Sequence, residues 1–508
     1  MHIRIIWFLL LTAQYAAHSN ASTYDIANGV LEQLYEAGGN KKKPLPTLLI
    51  SQDEKNAAEY RKRKNTIVLS EKAYQACRTF QEDSLAALAF VLGHELSHAL
   101  QTTLSVEATS FFAREYHPGS DVAHEEAADV QGLFLAYLAG YKNTRDILPE
   151  LIVRIYREFH LEGIPLFGYP TLEERQNTAK KTIAKTNELI QLYEAGLYLM
   201  AMKKYDLAAA CFEYISNGYA GREIHNNLGV CYALWAMNFT AENTIPYIFP
   251  FEVNWETRMR RVKGTDIGPE EKALMESYLA KAEEYLDAAI QLDPGPAAPK
   301  INRICVWILR GHYEKALEQA LMLYSDMAGR QDVVSQKRWH LALALAHAYM
   351  ENREMAMELW SELETQDGPE SANARINAQV FQGKNPQPGE GLPCPDLPDS
   401  KRMIDGVRLH RLEQANKIVL PVSGADRAVQ VSLFPHPNSV VCLFDDGHTY
   451  TALQRVFAPL PGSDTTFESP GLLTDRGSMH HCFHQDLVLS LDQDGRVLEW
   501  GKYVSGMR

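Results

Sequence analysis

No Cys-x-x-Cys pair occurs in the 508 residues, and cysteine of any kind is scarce. The seven are Cys77, Cys211, Cys231, Cys305, Cys394, Cys442 and Cys482, an odd number, so at least one is free or pairs between chains. Their scatter argues against a disulfide framework, and four of them sit in apolar contexts where a cysteine behaves as a small hydrophobe. A catalytic thiol is not indicated. Concentrated positive charge is missing too: beyond the lysines at 41–43 and Arg-Lys-Arg-Lys at 61–64 no basic stripe exists, and the formal net charge is -14. A nucleic-acid binder needs a dense positive surface to neutralise phosphates, so that class is excluded. Beyond the N-terminus no apolar run reaches about 18 residues, so the mature chain is expected to be soluble and to lack a membrane span. With 46% hydrophobic and 22% charged residues the composition is that of a globular protein. Its length calls for two to four domains.

The N-terminus carries a sorting signal. "MHIRIIWFLLLTAQYAAHSNAS" opens with His2 and Arg4, continues with an apolar run from Ile5 to about Ala17, and ends in small and polar residues. That run is short for a bilayer span and suits a signal peptide over residues 1–21, cleaved after Ser19 or Ala21. The alternative is an uncleaved anchor or a buried helix. The chain is expected to be exported, periplasmic or secreted.

Residues 22–185 are expected to form a first, α+β domain. Two strands, "TLLIS" and "TIVLS", are joined by a charged connection, and helical periodicity then runs from Ser70 to about residue 197. From 190 to 380 the chain repeats as helix-turn-helix units of the tetratricopeptide type, which place a small residue at the helix crossing and apolar residues four and seven later. Ala208, Phe212 and Ile215 fit this pattern, as do Ala282, Leu286 and Ala289, then Ala316, then Ala356, Trp360 and Leu363. Gly229 and Tyr232 belong to the first helix of the second unit. An aromatic-rich insertion over about 237–277 divides that unit. Such units stack into a solenoid whose concave face binds peptides or partner proteins. A Pro/Gly-rich linker at 383–400 leads to a small β-rich domain, 401–508, with two hairpins that turn on Asp-Gly. Its "HHCFH" (His480, His481, Cys482, His484) alternates between strand faces and has no second ligand cluster nearby, so it is not expected to bind metal.

The chemistry sits in "GHELSHALQ", residues 93–101. Residues four apart share a helix face, so the imidazoles of His94 and His98 can grip one zinc ion. Glu95, beside the first ligand, is placed to take a proton from a water that attacks a peptide carbonyl. A catalytic zinc needs a third protein ligand. The continuation HExxHxxGxxH is absent, since "ALQTTL" follows His98. A second helix begins near residue 121 with "DVAHEEAADVQGLFLAYLAGY". There Glu125 can complete the site, and Asp129, one turn on, can accept a ring N–H and fix a ligand histidine's tautomer. His124, turned about 100° from Glu125, and His117, in an expected loop, are read as bystanders.

The order of HExxH and then Glu-x-x-Ala-Asp resembles the M48 family of zinc metallopeptidases, over roughly residues 45–180. "KNAAEYRKRKNTIVLSEKA", "LAALAFVLGHELSHAL", "HEEAADVQG" and "YPTLEERQ" are similar to successive segments of that family. With a signal peptide and tetratricopeptide repeats, the whole is similar to the family's periplasmic β-barrel assembly-enhancing group, whose usual pattern lacks the β-domain. The resemblance implies a zincin-like α+β catalytic domain with one Zn2+ per chain, bound by His94, His98 and Glu125. Glu95 would be the general base and Asp129 the partner of a ligand. Tyr169 stands where the family has a histidine, and is expected to donate to the oxyanion. Arg175 is expected to hold that loop. Substrates would be unfolded or misassembled polypeptides, with envelope assembly partners bound through the repeats. The competing expectation is a repeat-based chaperone or scaffold whose peptidase domain is mainly structural.

Overall fold

The structure is a computed structural model that describes residues 22–52, 56–100, 108–113, 122–162, 170–239, 247–251, 269–327, 332–366, 369–384, 415–422, 427–434, 439–445, 450–456, 472–474, 477–482, 487–492 and 497–507. The expected signal segment, the expected linker from residue 385 onward, His117, Tyr169 and His484 lie outside the described residues. The described part is mostly helical, with fourteen α-helices and two sheets, and no helix in it is long and apolar enough to cross a membrane. The chain divides into two compact units, Met1–Ile190 and Gln191–Arg508.

In the first unit, α1 (Thr23–Gly38) starts at a reciprocal cap between Ser22 and Asp25. A four-stranded sheet follows, in the order β1 (Thr47–Ser51), β3 (Thr66–Ser70), β2 (Asn56–Arg61), β4 (Ala108–Ala113). β1 and β3 run parallel, and β2 is antiparallel to both of its neighbours. Two of these strands depart from the sequence expectation. The charged connection between "TLLIS" and "TIVLS" itself carries β2, where Ala57, Ala58 and Tyr60 are buried while Arg61 is exposed. The expected run of helix after Ser70 is interrupted by β4. After β3, the Ser70 hydroxyl accepts from the Lys72 N–H and starts α2 (Glu71–Arg78).

The centre of this unit is α3 (Ser84–Leu100). Every residue from Ala86 to Ala99 on it is buried, so no polar stripe exists and other elements enclose it on all sides. α1, α2, β2, β4, α4 (Val122–Leu138) and α5 (Thr144–Glu158) all pack on it. Burying side chains such as Leu88, Phe90 and Leu92 contributes about 1.5–3 kcal/mol each. The last carbonyls of α3 are met by the Lys43 ammonium, which donates to Ala99 O at 2.9 Å. α3 and α4 cross at two glycines. A Cβ on Gly132 would stand 2.6 Å from the His94 nitrogen, and one on Gly93 would stand 2.9 Å from Gly132 O. Backbone thus touches backbone at the residue that begins the HExxH motif.

The helix α6 (Leu172–Ala201) runs through residue 190, and helical hairpins follow it: α7 (Tyr205–Ser216), α8 (Arg222–Met237), α9 (Pro269–Leu292), α10 (Ala298–Leu309), α11 (Tyr313–Met327), α12 (Val333–Tyr349), α13 (Arg353–Glu364) and α14 (Pro369–Phe381). From α7 onward each packs on the next, and the pairs α8–α10, α10–α12 and α12–α14 also touch, which makes a two-layered stack. Ala208, Ala282, Ala316 and Ala356 are fully buried. A Cβ on Gly229 would lie 2.5 Å from the Leu286 side chain, and one on Gly196 would lie 2.7 Å from the Phe212 ring, so both glycines mark close helix crossings. α9 begins at Pro269, inside the expected insertion, because a proline in the first turn followed by two glutamates favours an earlier helix start.

The C-terminal sheet has eight strands in the order β5 (Asn416–Val422), β6 (Arg427–Phe434), β7 (Ser439–Asp445), β8 (Tyr450–Val456), β12 (Val497–Met507), β11 (Leu487–Asp492), β10 (Gly477–Cys482), β9 (Leu472–Thr474). Both expected hairpins, β7–β8 and β11–β12, are antiparallel pairs. β5 packs on α7. Five cysteines, Cys77, Cys211, Cys231, Cys305 and Cys442, are buried free thiols.

The glycine crossing generates a test. Gly132→Ala forces α3 and α4 apart and should destabilise the first unit by about 1–3 kcal/mol. Gly29→Ala, on α1 where a Cβ meets nothing within 4 Å, should instead stabilise it by about 0.5–1 kcal/mol. Denaturant midpoints of the two variants should move in opposite directions.

Candidate metal centre

Two helices supply the site. His94, Glu95 and His98 lie on α3, fully buried, and the crossing at Gly93 and Gly132 brings α4 alongside. Glu125 and Asp129 stand two turns and one turn before Gly132, on the α4 face that meets His94. The two histidine Nε2 atoms are 3.1 Å apart, with the rings edge to face. The Glu125 carboxylate spans both, at 3.3 Å from His94 Nε2 and 3.5 Å from His98 Nε2.

His94 is oriented from behind. Its Nδ1 lies 2.8 Å from Asp129 Oδ1, and donating that N–H leaves the Nε2 lone pair facing His98 and Glu125. Asp129 is gripped in turn by the Arg175 guanidinium, which donates to both carboxylate oxygens, one of them at 2.8 Å. Arg175 is held by its position on the first turn of α6. There Thr171 and Glu174 cap each other: the Thr171 N–H donates to Glu174 at 2.7 Å, and the Glu174 N–H donates to the Thr171 hydroxyl at 3.2 Å. The Tyr156 hydroxyl donates to Pro170 O at 2.7 Å and ties down the preceding turn.

This donor set suits a small divalent cation. Ligand atoms about 2.0–2.2 Å from a tetrahedral zinc stand roughly 3.3–3.6 Å from one another; here the two Nε2 atoms are 3.1 Å apart, and one Glu125 oxygen lies 3.3 Å from His94 and the other 3.5 Å from His98. Charge points the same way. Among the described residues the ionised carboxylates of Glu125 and Asp129 face a single guanidinium, which leaves negative charge in a largely buried place where unpaired charge is costly. The His98 Nδ1 is buried and has no hydrogen-bond partner among the described residues, so no second ring bond biases its tautomer against presenting Nε2.

Titration reflects this imbalance. Burial alone would lower the His94 pKa, but the hydrogen bonds and charges of Asp129 and Glu125 outweigh it and raise it to about 10. Burial lowers the pKa of His98, against the pull of Glu125. Burial would raise both carboxylates, yet Glu125 is held well below the usual range by the two histidines, and Asp129 by Arg175 and His94.

The structure therefore brings His94, His98 and Glu125 together as a cluster that could hold a metal ion, with Glu95 next to His94 on α3 and Asp129 behind His94. His124, on α4, is outside the cluster. Tyr169 lies outside the described residues, so its expected role gains no geometry. Arg175 is expected to hold the loop before α6, of which residues 163–169 lie outside the described residues; its guanidinium binds Asp129, a partner the sequence does not indicate. Sequence reasoning gave no role to Gly93 or Gly132. The cue was available, because a glycine in the interior of each of two helices costs helix stability and signals close backbone approach. Of "HHCFH", His480, His481 and Cys482 lie on β10. Neither models of known protein families nor curated proteins match this chain.

Two outcomes follow from the geometry. Glu125→Ala should weaken zinc affinity by two or more orders of magnitude, whereas His124→Ala should leave it within about twofold, as read by competition with a chromogenic chelator. The second concerns pH. Ligation needs neutral imidazoles, and in metal-free protein His94 keeps its proton up to about pH 10, while His98 is neutral by pH 7. Zinc binding at pH 7 should therefore release about one proton, and apparent affinity should rise about tenfold per pH unit between 7 and 9. Calorimetry in buffers of different ionisation enthalpy measures the proton directly. A flat affinity profile would contradict the assignment.

Proposed function

We propose that this chain is a zinc-dependent endopeptidase with a zincin-like α+β catalytic unit, exported from the cytoplasm, acting on unfolded or misassembled polypeptides. The observation that carries the proposal is the convergence of His94, His98 and Glu125 ligand atoms beside the buried Glu95. The order of these motifs, similar to that of the M48 metallopeptidases, supports it. A zinc ion held by those three side chains supplies Lewis acidity, polarising a peptide carbonyl and acidifying water.

The chain's own residues do the rest. Glu95, shielded from bulk water, takes a proton from the attacking water and passes it to the amine nitrogen that leaves. Asp129 keeps His94 in the tautomer whose Nε2 faces the cluster, and Arg175 keeps Asp129 ionised and fixed. Tyr169 completes the proposal as a donor to the developing oxyanion. The stacked hairpins of the second unit serve to hold polypeptide substrates or envelope partners.

Glu95→Gln tests the chemistry. The variant should retain one zinc per chain and an unchanged melting curve, yet cut a denatured protein on the order of 100- to 10,000-fold more slowly than the parent. Equal rates would remove Glu95 from the role of base. A parent that binds zinc but cuts neither denatured nor folded protein would favour the scaffold reading.

A further inference from the structure

Within the second unit, residues Tyr247–Phe251 (Tyr-Ile-Phe-Pro-Phe) form no helix or strand, yet they are bound like a ligand. The Ile248 N–H donates to Asn377 Oδ1 at 2.7 Å, and Asn377 Nδ2 donates to Ile248 O at 2.9 Å. One carboxamide thus takes both backbone groups of a single residue. Those groups point the same way only in extended chain, where a neighbouring strand residue would normally meet them. Asn377 stands in for that strand. Such a grip reads backbone and is indifferent to the side chain at position 248.

Selectivity comes from the flanking positions. The Tyr247 ring sits 5.3 Å from Tyr349, 5.9 Å from Trp360 and 6.3 Å from Phe381, which come from α12, α13 and α14. Phe249 lies 6.3 Å from Tyr349 and stacks with Phe251 at 5.9 Å. The surface therefore accepts aromatic side chains two residues apart, at 247 and 249, and Phe251 continues the alternation by stacking on Phe249.

Two buried polar groups show that residues 247–251 leave part of the surface unused. Asn373, one turn before Asn377 and on the same face of α14, is 1% exposed, and neither atom of its carboxamide has a partner among the described residues. The indole N–H of the fully buried Trp360 likewise lacks an acceptor among the described residues. Buried groups of this kind cost stability unless something binds them.

We propose that the surface around Asn377 is a binding site for extended polypeptide with aromatic side chains at alternate positions, and that residues 247–251 occupy it in cis as a tethered competitor. Asn373 takes the backbone of a longer ligand one step further along. The inference stands apart from the metal chemistry. Its readout is binding, so a chain inactive as a peptidase still tests it.

The probe is a fluorescent peptide carrying Tyr-Ile-Phe-Pro-Phe between Gly-Ser flanks, titrated into the full-length protein. A tethered segment competes at an effective concentration on the order of millimolar, so the parent should bind the probe weakly and Tyr247→Ser/Phe249→Ser about tenfold or more tightly. Adding Asn377→Ala should abolish the gain, and a probe with alanine at the three aromatic positions should not bind. A folded double variant that binds no better than the parent overturns the proposal. Hydrogen exchange at the Ile248 amide of the unaltered chain decides the matter if the double variant misfolds. Exchange should quicken as probe is added, and an unchanged rate at the highest soluble probe concentration means that the segment is a fixed structural staple.

Discussion

Contact between two helix backbones, at Gly93 and Gly132, governs what the first unit can do. Hydrogen-bond and ligand distances near 3 Å between side chains on different helices require the axes to lie closer than ordinary side chains permit. Glycine on both partners removes that obstacle at the position where His94 begins its motif. Asp129 then reaches His94 Nδ1 and Glu125 spans both imidazoles, with no long side chain needed to bridge a gap. The surrounding elements hold the same crossing in place, since every residue of α3 from Ala86 to Ala99 is buried.

On that frame the charges are arranged in series. The cap at Thr171 and Glu174 places Arg175, Arg175 orients Asp129, and Asp129 sets the tautomer of His94. Each link is a hydrogen bond that restricts the next, from the exposed start of α6 to the buried cluster. What the series does not provide is neutrality. The remaining negative charge is satisfied either by protons on imidazole or by a cation, and the high pKa of His94 expresses the first option.

Sequence made the local part of this legible. A spacing of four puts His94 with His98, and Glu125 with Asp129, on single helix faces whatever the tertiary structure, and the repeating small and large apolar positions of the hairpins are equally local. Long-range geometry was hidden. β2 was masked by charge, because "NAAEYR" sits in a basic connection and buries only Ala57, Ala58 and Tyr60. β4 is six residues long and lies between two strongly helical segments. Arg175 and Asp129 are separated by 46 residues, and Ile248 and Asn377 by 129, and no periodic signal marks such pairs. The early start of α9 was lost beneath the aromatic character of the residues before it.

The five buried thiols carry a consequence for how this protein is lost. Burial pushes Cys77 up to about 12 and raises Cys211, Cys231 and Cys442 too, so at neutral pH these four present almost no thiolate to an oxidant while the chain is folded. Unfolding returns those sulfurs to an ordinary pKa of about 8.5 and to solvent together. In an oxidising compartment, thiol exchange would then compete with refolding, and any pair formed among these five would be non-native, because the folded state joins none of them to another. Each excursion from the native state becomes a chance of permanent loss. The working lifetime of such a chain is set by its unfolding rate rather than by its equilibrium stability.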